Sequence, residues 1–263
     1  MTARDALGEA EQRLAAVGVE TPRVDAEWLV AHLLGTSRSG LAARLDDEID
    51  GLEPLLVRRE AREPLAYVLG EWGFRRLTLK TDARALVPRP ETETLVERAL
   101  ALTDGTERPR ILDVGVGSGA IALALKDERA DAEVTGVDVS RDAVALAREN
   151  AERLGLEVEL RDGDGAAAAA AAEGWDVVLA NPPYVESLEE LQPELSWEPA
   201  VALIGQGEHE RLARAANARY VVFETGDDQA ADVADMLARL GYVDVAITAD
   251  LTGRDRVVEG RRP

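Results

Sequence analysis

From Pro88 onward the chain alternates between short apolar runs and amphipathic stretches, and this alternation restricts the possible folds more than any other property of the sequence. Strands are expected at residues 110–114, 133–138, 157–161, 176–180, 220–224, 242–249 and 256–259, with amphipathic helices between most of them. Such alternation implies a parallel sheet with right-handed crossovers and helices on both faces. Only residues 250–255 separate the last two strands, too few for a helical crossover, so those strands should pair antiparallel. The alanine-rich run 166–172 reads as a plain helix continuing from Asp164.

Ahead of Pro88 the pattern is different. Residues 2–63 carry helical spacing and no strand signal: Leu7, Leu14 and Val17 recur before Gly18, and Thr21-Pro22 reads as a cap followed by proline at the first helical position. Trp28, Leu29, Leu33 and Leu34 form the next apolar stripe and stop at Gly35, and a further helix is expected over 52–62 before Pro64. Between Gly70 and Val87 the glycines and the Leu77-Thr78-Leu79 alternation suggest a β-hairpin, to which Trp72 and Phe74 add apolar anchors. The expected organisation is a helical domain over 1–69, a connecting hairpin over 70–88 and an α/β domain over 89–263.

Several classes of function are excluded or disfavoured by composition. With no cysteine and only His32 and His209, thiolate nucleophiles, disulfides and Cys-ligated zinc are impossible, and a Ser-His triad or histidine metal site has almost nothing to draw on. The formal charge of −21 argues against a phosphate-tracking surface, since non-specific nucleic-acid affinity comes from Lys and Arg neutralising phosphates. It suits either a basic docking partner or solubility in a crowded, salty cytoplasm. No apolar run reaches the roughly 18 to 20 residues that span a membrane, and Met1-Thr2-Ala3-Arg4-Asp5 lacks the apolar segment of a secretory signal, so the cytoplasm is the expected location.

Two segments carry the chemistry. Asn181-Pro182-Pro183-Tyr184 directly follows the apolar run 175–180. An Asn amide offers an acceptor and two donors, two prolines fix φ and leave their carbonyls free, and a ring can cover a flat group. The arrangement suits a planar, NH2-bearing substrate. Upstream, Asp113-Val114-Gly115-Val116-Gly117-Ser118-Gly119 is a glycine-rich turn between strand and helix, which lets backbone N–H groups approach a ligand. Its G-x-G-x-G spacing lacks the last step of the dinucleotide fingerprint, with Ala120 as a stand-in, and is weak alone. Asp138, about 20 residues on at the end of the next strand, is placed to accept from a ribose diol, the helix cap falling more naturally to Ser140. Asp162-Gly163-Asp164 is open to two readings, a carboxylate facing an adenine amine or a turn with a cap. Together these segments point to methyl transfer onto an amide or amine nitrogen.

The chain resembles the peptide chain release factor N5-glutamine methyltransferases, a family of class I S-adenosylmethionine-dependent enzymes. The resemblance runs nearly end to end: Arg62-Glu63-Pro64-Leu65-Ala66-Tyr67 with Gly70-Glu71 and Phe74, Pro88-Arg89-Pro90-Glu91-Thr92-Glu93, the turn from Asp113 to Ile121, Asn150-Ala151, Asn181-Pro182-Pro183-Tyr184, Glu198-Pro199 with Ala202-Leu203, and Asp250-Leu251 with Gly253 and Asp255-Arg256. It implies a Rossmann-like seven-stranded sheet with the last strand antiparallel, a small N-terminal helical domain that recognises substrate, and a joining hairpin. It also implies S-adenosyl-L-methionine held by Gly115, Val116, Gly117, Ser118, Gly119, Asp138, Asp164 and Asn181. The glutamine of a release factor Gly-Gly-Gln motif would be received by Asn181, Pro182, Pro183 and Tyr184, with Asn181, Pro182 and Tyr184 acting on the reacting amide. No metal, no membrane and no direct nucleic-acid contact are implied, and a monomer is expected.

Three positions depart from the family pattern: Val116 stands for a threonine, Gly165 for an aromatic residue after Asp164, and 204–221 is short, with Gly205-Gln206-Gly207-Glu208-His209-Glu210 in place of a glycine-rich turn, leaving a truncated helix before the fifth strand. Glu91 and Thr92 border the cofactor or cap a helix, Glu224-Thr225-Gly226 supports the crevice from behind, and Asp255-Arg256 reads as a surface ion pair or a strand-end turn. A ribosomal-protein glutamine methyltransferase fits the same chemistry. An adenine-N6 nucleic-acid methyltransferase shares the clamp but needs basic surfaces to hold a flipped base, and a cofactor-binding protein without catalysis is opposed by the intact Asn181 to Tyr184.

Overall fold

The computed structural model describes residues 1–183 and 192–263, which fall into two compact units. The first holds Met1–Glu71 together with residues 192–197. Its helices are α1 (Ala3–Ala16), α2 (Pro22–Leu34), α3 (Leu52–Glu60) and α4 (Leu65–Leu69). Leu7, Leu14, Leu29 and Leu56 are buried between them, the inward faces that the helical spacing marks out. Helix α3 ends two residues before the expected position because Arg62 takes φ +65°, outside the helical region. Arg59 is buried and donates to Asp25 (2.7 Å) and to Glu194 (2.8 Å), and Arg62 adds two bonds to Glu194, so the 3₁₀ turn Pro193–Trp197 is held to these helices by a shared carboxylate.

The second unit opens on the hairpin strands β1 (Glu71–Phe74) and β2 (Leu77–Lys80), followed by α5 (Glu93–Leu102). Then come β3 (Arg110–Val114), α6 (Ala120–Glu128), β4 (Glu133–Asp138), α7 (Arg141–Leu154), β5 (Glu159–Asp162) and α8 (Gly165–Ala169). The remainder is β6 (Trp175–Ala180), α9 (Ala200–Leu203), α10 (Glu208–Ala215), β7 (Ala218–Glu224), α11 (Ala230–Arg239), β8 (Val243–Ala249) and β9 (Asp255–Arg261). The sheet has seven strands in the order β5-β4-β3-β6-β7-β9-β8. All neighbours pair parallel except β9, which runs antiparallel to both β7 and β8. This is the class I methyltransferase arrangement anticipated from the sequence, including the antiparallel last strand.

Central strands are apolar on both faces, as a sheet covered twice requires. Ile111, Val177, Leu179 and Val222 pack against α5, α6 and α7, while their neighbours Leu112, Val178, Val221 and Phe223 pack against α10 and α11. The alternation follows from successive side chains leaving a strand on opposite sides. The alanine-rich helix is shorter than expected and ends at Ala169, after which Asn217 Nδ2 donates to the carbonyls of Ala171 and Ala172 instead. Phe74, fully buried, seats the hairpin in the same core as α5 and α6.

Candidate active site

Strands β3, β4 and β5 are laid outward in one direction and β6 returns to the other side of β3, so the topological switch point lies between β3 and β6. Crevices form outside the carboxyl ends of strands at such a point. A cleft of about 330 Å³ opens there, toward the lower end of the roughly 300 to 1,000 Å³ usual for small-molecule sites. Turns after β3, β4, β5 and β6 line it, together with the strap 84–89 that follows the hairpin.

The glycine turn after β3 is built by positive φ: +80° at Gly115, +54° at Gly117 and +87° at Gly119. Gly115 and Val116 N–H both donate to the Val137 carbonyl (2.8 and 3.0 Å), and Gly117 N–H donates to Asp138 Oδ2 (3.0 Å). Asp138 Oδ1 accepts from Ser140 N–H (2.9 Å), while Ser140 itself caps α7 through Ala143 N–H (3.2 Å). Two backbone amides therefore hold the Asp138 carboxylate at the cleft wall, and each oxygen keeps acceptor capacity.

Not every glycine of the turn faces the cleft. Gly119 lies behind it: its N–H closes on the Val116 carbonyl (2.8 Å), and a Cβ there would stand 2.9 Å from Leu123 Cδ1 and 3.3 Å from Ala147 Cβ. Its glycine serves the close approach of α6 and α7. The Val116 side chain packs on β4, where a Cβ on Gly136 would lie 2.5 Å from Val116 Cγ2, so valine fills an apolar seat beside the cleft. Ser118 is buried at the cleft, and its carbonyl accepts from Asn150 Nδ2 (2.9 Å). Asn150 also exchanges two bonds with the Lys80 backbone (2.7 and 3.1 Å), tying the glycine turn to β2. The Asn150-Ala151 motif thus has a positional meaning that helical periodicity alone hides.

Asp164 lines the cleft but is heavily committed: Oδ1 caps α8 through Ala167 N–H (2.9 Å) and Oδ2 pairs with Arg211, which also bonds Glu208 (2.8 Å). Its pKa is lowered chiefly by the Ala167 N–H bond, with the Arg211 charge adding to it. The cap of the second reading is present, and an adenine contact, the first, would share an oxygen already in use. A Cβ at Gly165 would meet Val114 Cγ1 at 2.2 Å, so the missing aromatic side chain reflects α8 pressed against β3.

Asn181, Pro182 and Pro183 follow β6 and open onto the same cleft as Gly115, Gly117 and Asp138. Asn181 is half-buried, and its Nδ2 donates to Thr92 Oγ1 at 3.3 Å. Gly205 approaches so closely that a Cβ there would stand 2.7 Å from Pro183 Cγ, which gives the short 204–221 segment its glycine. Tyr184 lies outside the described residues. Glu198 is buried and holds the strap by accepting from Val87 N–H (3.1 Å) and from the Arg89 guanidinium. That bond joins two motifs far apart in sequence, Pro88-Arg89-Pro90 and Glu198-Pro199, across the cleft mouth.

Two acids are buried beside the site. Asp113, wholly inaccessible, accepts from Ala122 N–H (3.1 Å), and burial pushes its carboxyl up to about 7, with the Asp138 charge adding to the rise. Glu224, at the end of β7, is likewise pushed up to about 7 by burial, against the stabilising influence of the Thr92 hydroxyl and the Arg256 charge. Arg256 is no surface residue: it is buried and bonds the Thr225 carbonyl (2.9 Å), Asp227 (2.7 Å) and Asp250 (3.3 Å), which overturns the surface-pair reading, while Asp255 opens β9 just after the turn at 251–253 as the strand-end reading has it.

Comparison with known proteins decides the family. Residues 5–70 match the PrmC N-terminal domain and residues 92–207 the methyltransferase small domain. The release factor glutamine methyltransferase of Deinococcus radiodurans is 38% identical over 284 residues, spanning 100% of this chain and 99% of its own length. The chain belongs to the release factor glutamine methyltransferases. The Rhodospirillum rubrum release factor glutamine methyltransferase is 40% identical over 267 residues, covering 95% of this chain and 82% of its own. Among solved structures, the hMettl16 catalytic domain in complex with an RNA hairpin superposes with a TM-score of 0.58 at 16% identity, over 79% of this chain and 80% of that one, and shares the fold. The family's glycine turn and its Asn-Pro-Pro segment are thus the two walls of one cleft in this release factor glutamine methyltransferase, and Glu198, Asn150 and Gly205 are the residues that hold those walls in place.

Proposed function

We propose that this chain methylates the side-chain amide nitrogen of a glutamine in a peptide chain release factor, within its Gly-Gly-Gln motif, using S-adenosyl-L-methionine. The observation that carries the reading is the opening of Asn181-Pro182-Pro183 onto the same cleft as the glycine turn and Asp138. The residues fit the donor. A carboxylate fastened by two amides, with lone pairs to spare, suits a ribose diol, and the bare backbone of Gly115 and Gly117 admits close approach of a ligand. Gly115, Gly117, Ser118 and Asp138 would hold it, with Val116 contributing apolar contact, Asp164 meeting its base and Asn181 closing the reacting end. Gly119 would act only through the shape it gives the turn. When bound, the cofactor supplies an electrophilic methyl group on a sulfonium.

An amide nitrogen is a weak nucleophile because its lone pair is shared with the carbonyl, so the chain's contribution is alignment. Asn181 Oδ1 and the Pro182 carbonyl accept the two amide N–H bonds and turn the nitrogen toward the methyl. Positioning of this kind is worth roughly 7 to 11 kcal/mol in favourable intramolecular cases. Pro183 and Tyr184 would cover the flat face and exclude water. The helical unit of residues 1–69 would recognise the release factor, the hairpin 70–88 would connect it, and 89–263 would carry the chemistry. With a formal charge of −21 a protein partner is favoured over nucleic acid, and we take the enzyme to act as a monomer in the cytoplasm, where such substrates work. No helix among the described residues is long and apolar enough to cross a membrane.

The test uses labelled S-adenosylmethionine with a release factor, a release factor whose Gly-Gly-Gln glutamine is replaced, a ribosomal-protein extract and duplex DNA, each in turn. Label on the first alone is the expected result, and label on the extract or the DNA instead would overturn the substrate. In Asn181→Ala methylation should vanish while cofactor affinity stays within about tenfold, since losing one positioned bond to the reacting group costs a few kcal/mol of barrier. Full activity in that variant would remove Asn181 from the mechanism.

A further inference from the structure

A methyl donor that meets its acceptor at Asn181 and lays its ribose diol on Asp138 can extend in only one sense. Asn181 follows β6 and Asp138 ends β4, with β3 between them, so the base falls beyond Asp138, toward the outermost strand β5. There the ends of β4 and β5 are tied together: Asp138 and Asp162 are register partners, and Gly163 N–H donates to the Asp138 carbonyl at 2.9 Å. A purine is flat, and proteins grip bases with apolar side chains, aromatic rings or guanidinium planes. No aromatic ring is among the described residues that line the cleft, and a side chain at Gly165 has no room, since its Cβ would stand 2.2 Å from Val114 Cγ1. Val139, next to Asp138, offers one apolar surface: it lines the cleft and is 64% exposed.

Arg211 offers a second surface. It reaches the cleft from α10 with its side chain 44% exposed, and its terminal nitrogens are taken by different carboxylates: Nη2 by Asp164 Oδ2, just after β5, and Nη1 by Glu208 Oε2 at 2.8 Å. The donors of a guanidinium all lie in its plane, so bonds at its edge fix the orientation and leave stacking to its faces. The two carboxylates also offset its charge, which removes the repulsion that a cationic sulfonium ligand would otherwise meet. Arg84 and Arg89, the other arginines of the lining, are held on the strap, the first by Asp82 and Glu149 and the second by Glu198.

We propose that the Arg211 guanidinium, gripped at its edge by Asp164 and Glu208, is a binding surface for the cofactor's purine, which stacks on its face. The proposal rests on the reading of this cleft as the S-adenosylmethionine site and adds to that site a residue from α10. A guanidinium is planar, delocalised and weakly hydrated, so covering it with a base costs little water. Asp164 then has two duties, capping α8 with one oxygen and aiming Arg211 with the other. The plane of Arg211 supplies at the base end what Gly165 cannot.

The experiment is calorimetric titration of the full chain with S-adenosylhomocysteine, comparing wild type with Arg211→Ala, Arg211→Lys, Arg211→Trp and Asp138→Ala. Arg211→Ala should weaken Kd by about tenfold or more, the scale of losing one stacking partner of a base. Arg211→Lys keeps the charge and can still reach Asp164 but has no plane, and should lose nearly as much. Arg211→Trp gives up both ion pairs but restores a flat face, and should stay within about threefold of wild type. Its tryptophan fluorescence should also gain a quenching by S-adenosylhomocysteine that the wild type lacks. An ion pair that only braces α8 against α10 predicts the reverse order, with lysine tolerated and tryptophan not. That order, an unchanged Kd in Arg211→Ala, or no added quenching in Arg211→Trp would overturn the proposal. A flat Arg211 series beside a weakened Asp138→Ala removes the stacking surface alone; if neither position alters binding, the cofactor lies elsewhere and the reading of the cleft falls first.

Discussion

At the scale of single residues, the cleft separates groups with acceptor capacity open to a ligand from groups that shape the wall, although both sit in one motif. Two amides orient the Asp138 oxygens without exhausting them, and we propose that it is of the first kind. Asp138→Ala should weaken S-adenosylmethionine binding by about tenfold to a hundredfold, the range for losing hydrogen bonds to a charged acceptor. Isothermal titration calorimetry measures it directly, and an unchanged Kd would show that Asp138 only fastens the Gly117 turn. The place of Asp138 at the cleft was legible because its spacing from the turn carries a mechanism. Glu198 and Asn150 were legible only as letters in a pattern, because their partners, Val87 with Arg89 and Ser118 with Lys80, are distant in sequence and local rules say nothing of such pairs. The burial of Arg256 was hidden for a similar reason: an Asp-Arg pair at a strand end beside a turn gives no sign that its guanidinium is folded inward against Thr225.

At the scale of elements, boundaries followed the chemistry of the ends. Helix α7 starts where Ser140 caps it and stops at Gly155 in the left-handed region, both readable as residue types. The edge strand β5 begins two residues later than expected, because an exposed edge has little burial to define it. The third glycine of the turn offers a clean test of element packing against ligand contact. Gly119→Ala places a side chain at φ +87° and 2.9 Å from Leu123 Cδ1. It should cost about 1 to 3 kcal/mol of stability while leaving cofactor Kd within a few-fold, read by urea unfolding alongside calorimetry. A collapse of affinity without loss of stability would return Gly119 to the binding set.

At the scale of the whole molecule, the mostly parallel sheet and its antiparallel last pair were legible, because strand–helix alternation and one short final connection imply both, whereas the order of the strands was not. What alternation cannot give is burial of charge. Asp113 sits in an apolar β3 run and reads as a motif letter, yet its carboxyl is wholly inaccessible and pushed up to about 7 from an ordinary 3.8. Between those two values the unfolded chain has released the proton that the native chain retains, so stability falls as pH rises and the full penalty is present above about 7. Asp113→Asn keeps an acceptor for Ala122 N–H and has no charge to bury. The variant should therefore gain stability at pH 8 relative to wild type, by on the order of a few kcal/mol at most, and little at pH 5.5. Urea midpoints at the two pH values check the sign, and an equal effect at both would mean the carboxyl is already charged in the native state.

The position of β9 between β7 and β8 has a consequence for biosynthesis. A nascent chain that has emerged from the ribosome only as far as β8 has no partner for the outer edge of β7, and Val221, Val222 and Phe223 border a gap that the final strand alone can fill. The sheet closes by late insertion rather than by adding strands outward. For that interval the unpaired edge of β7 is open to whatever other polypeptide is near.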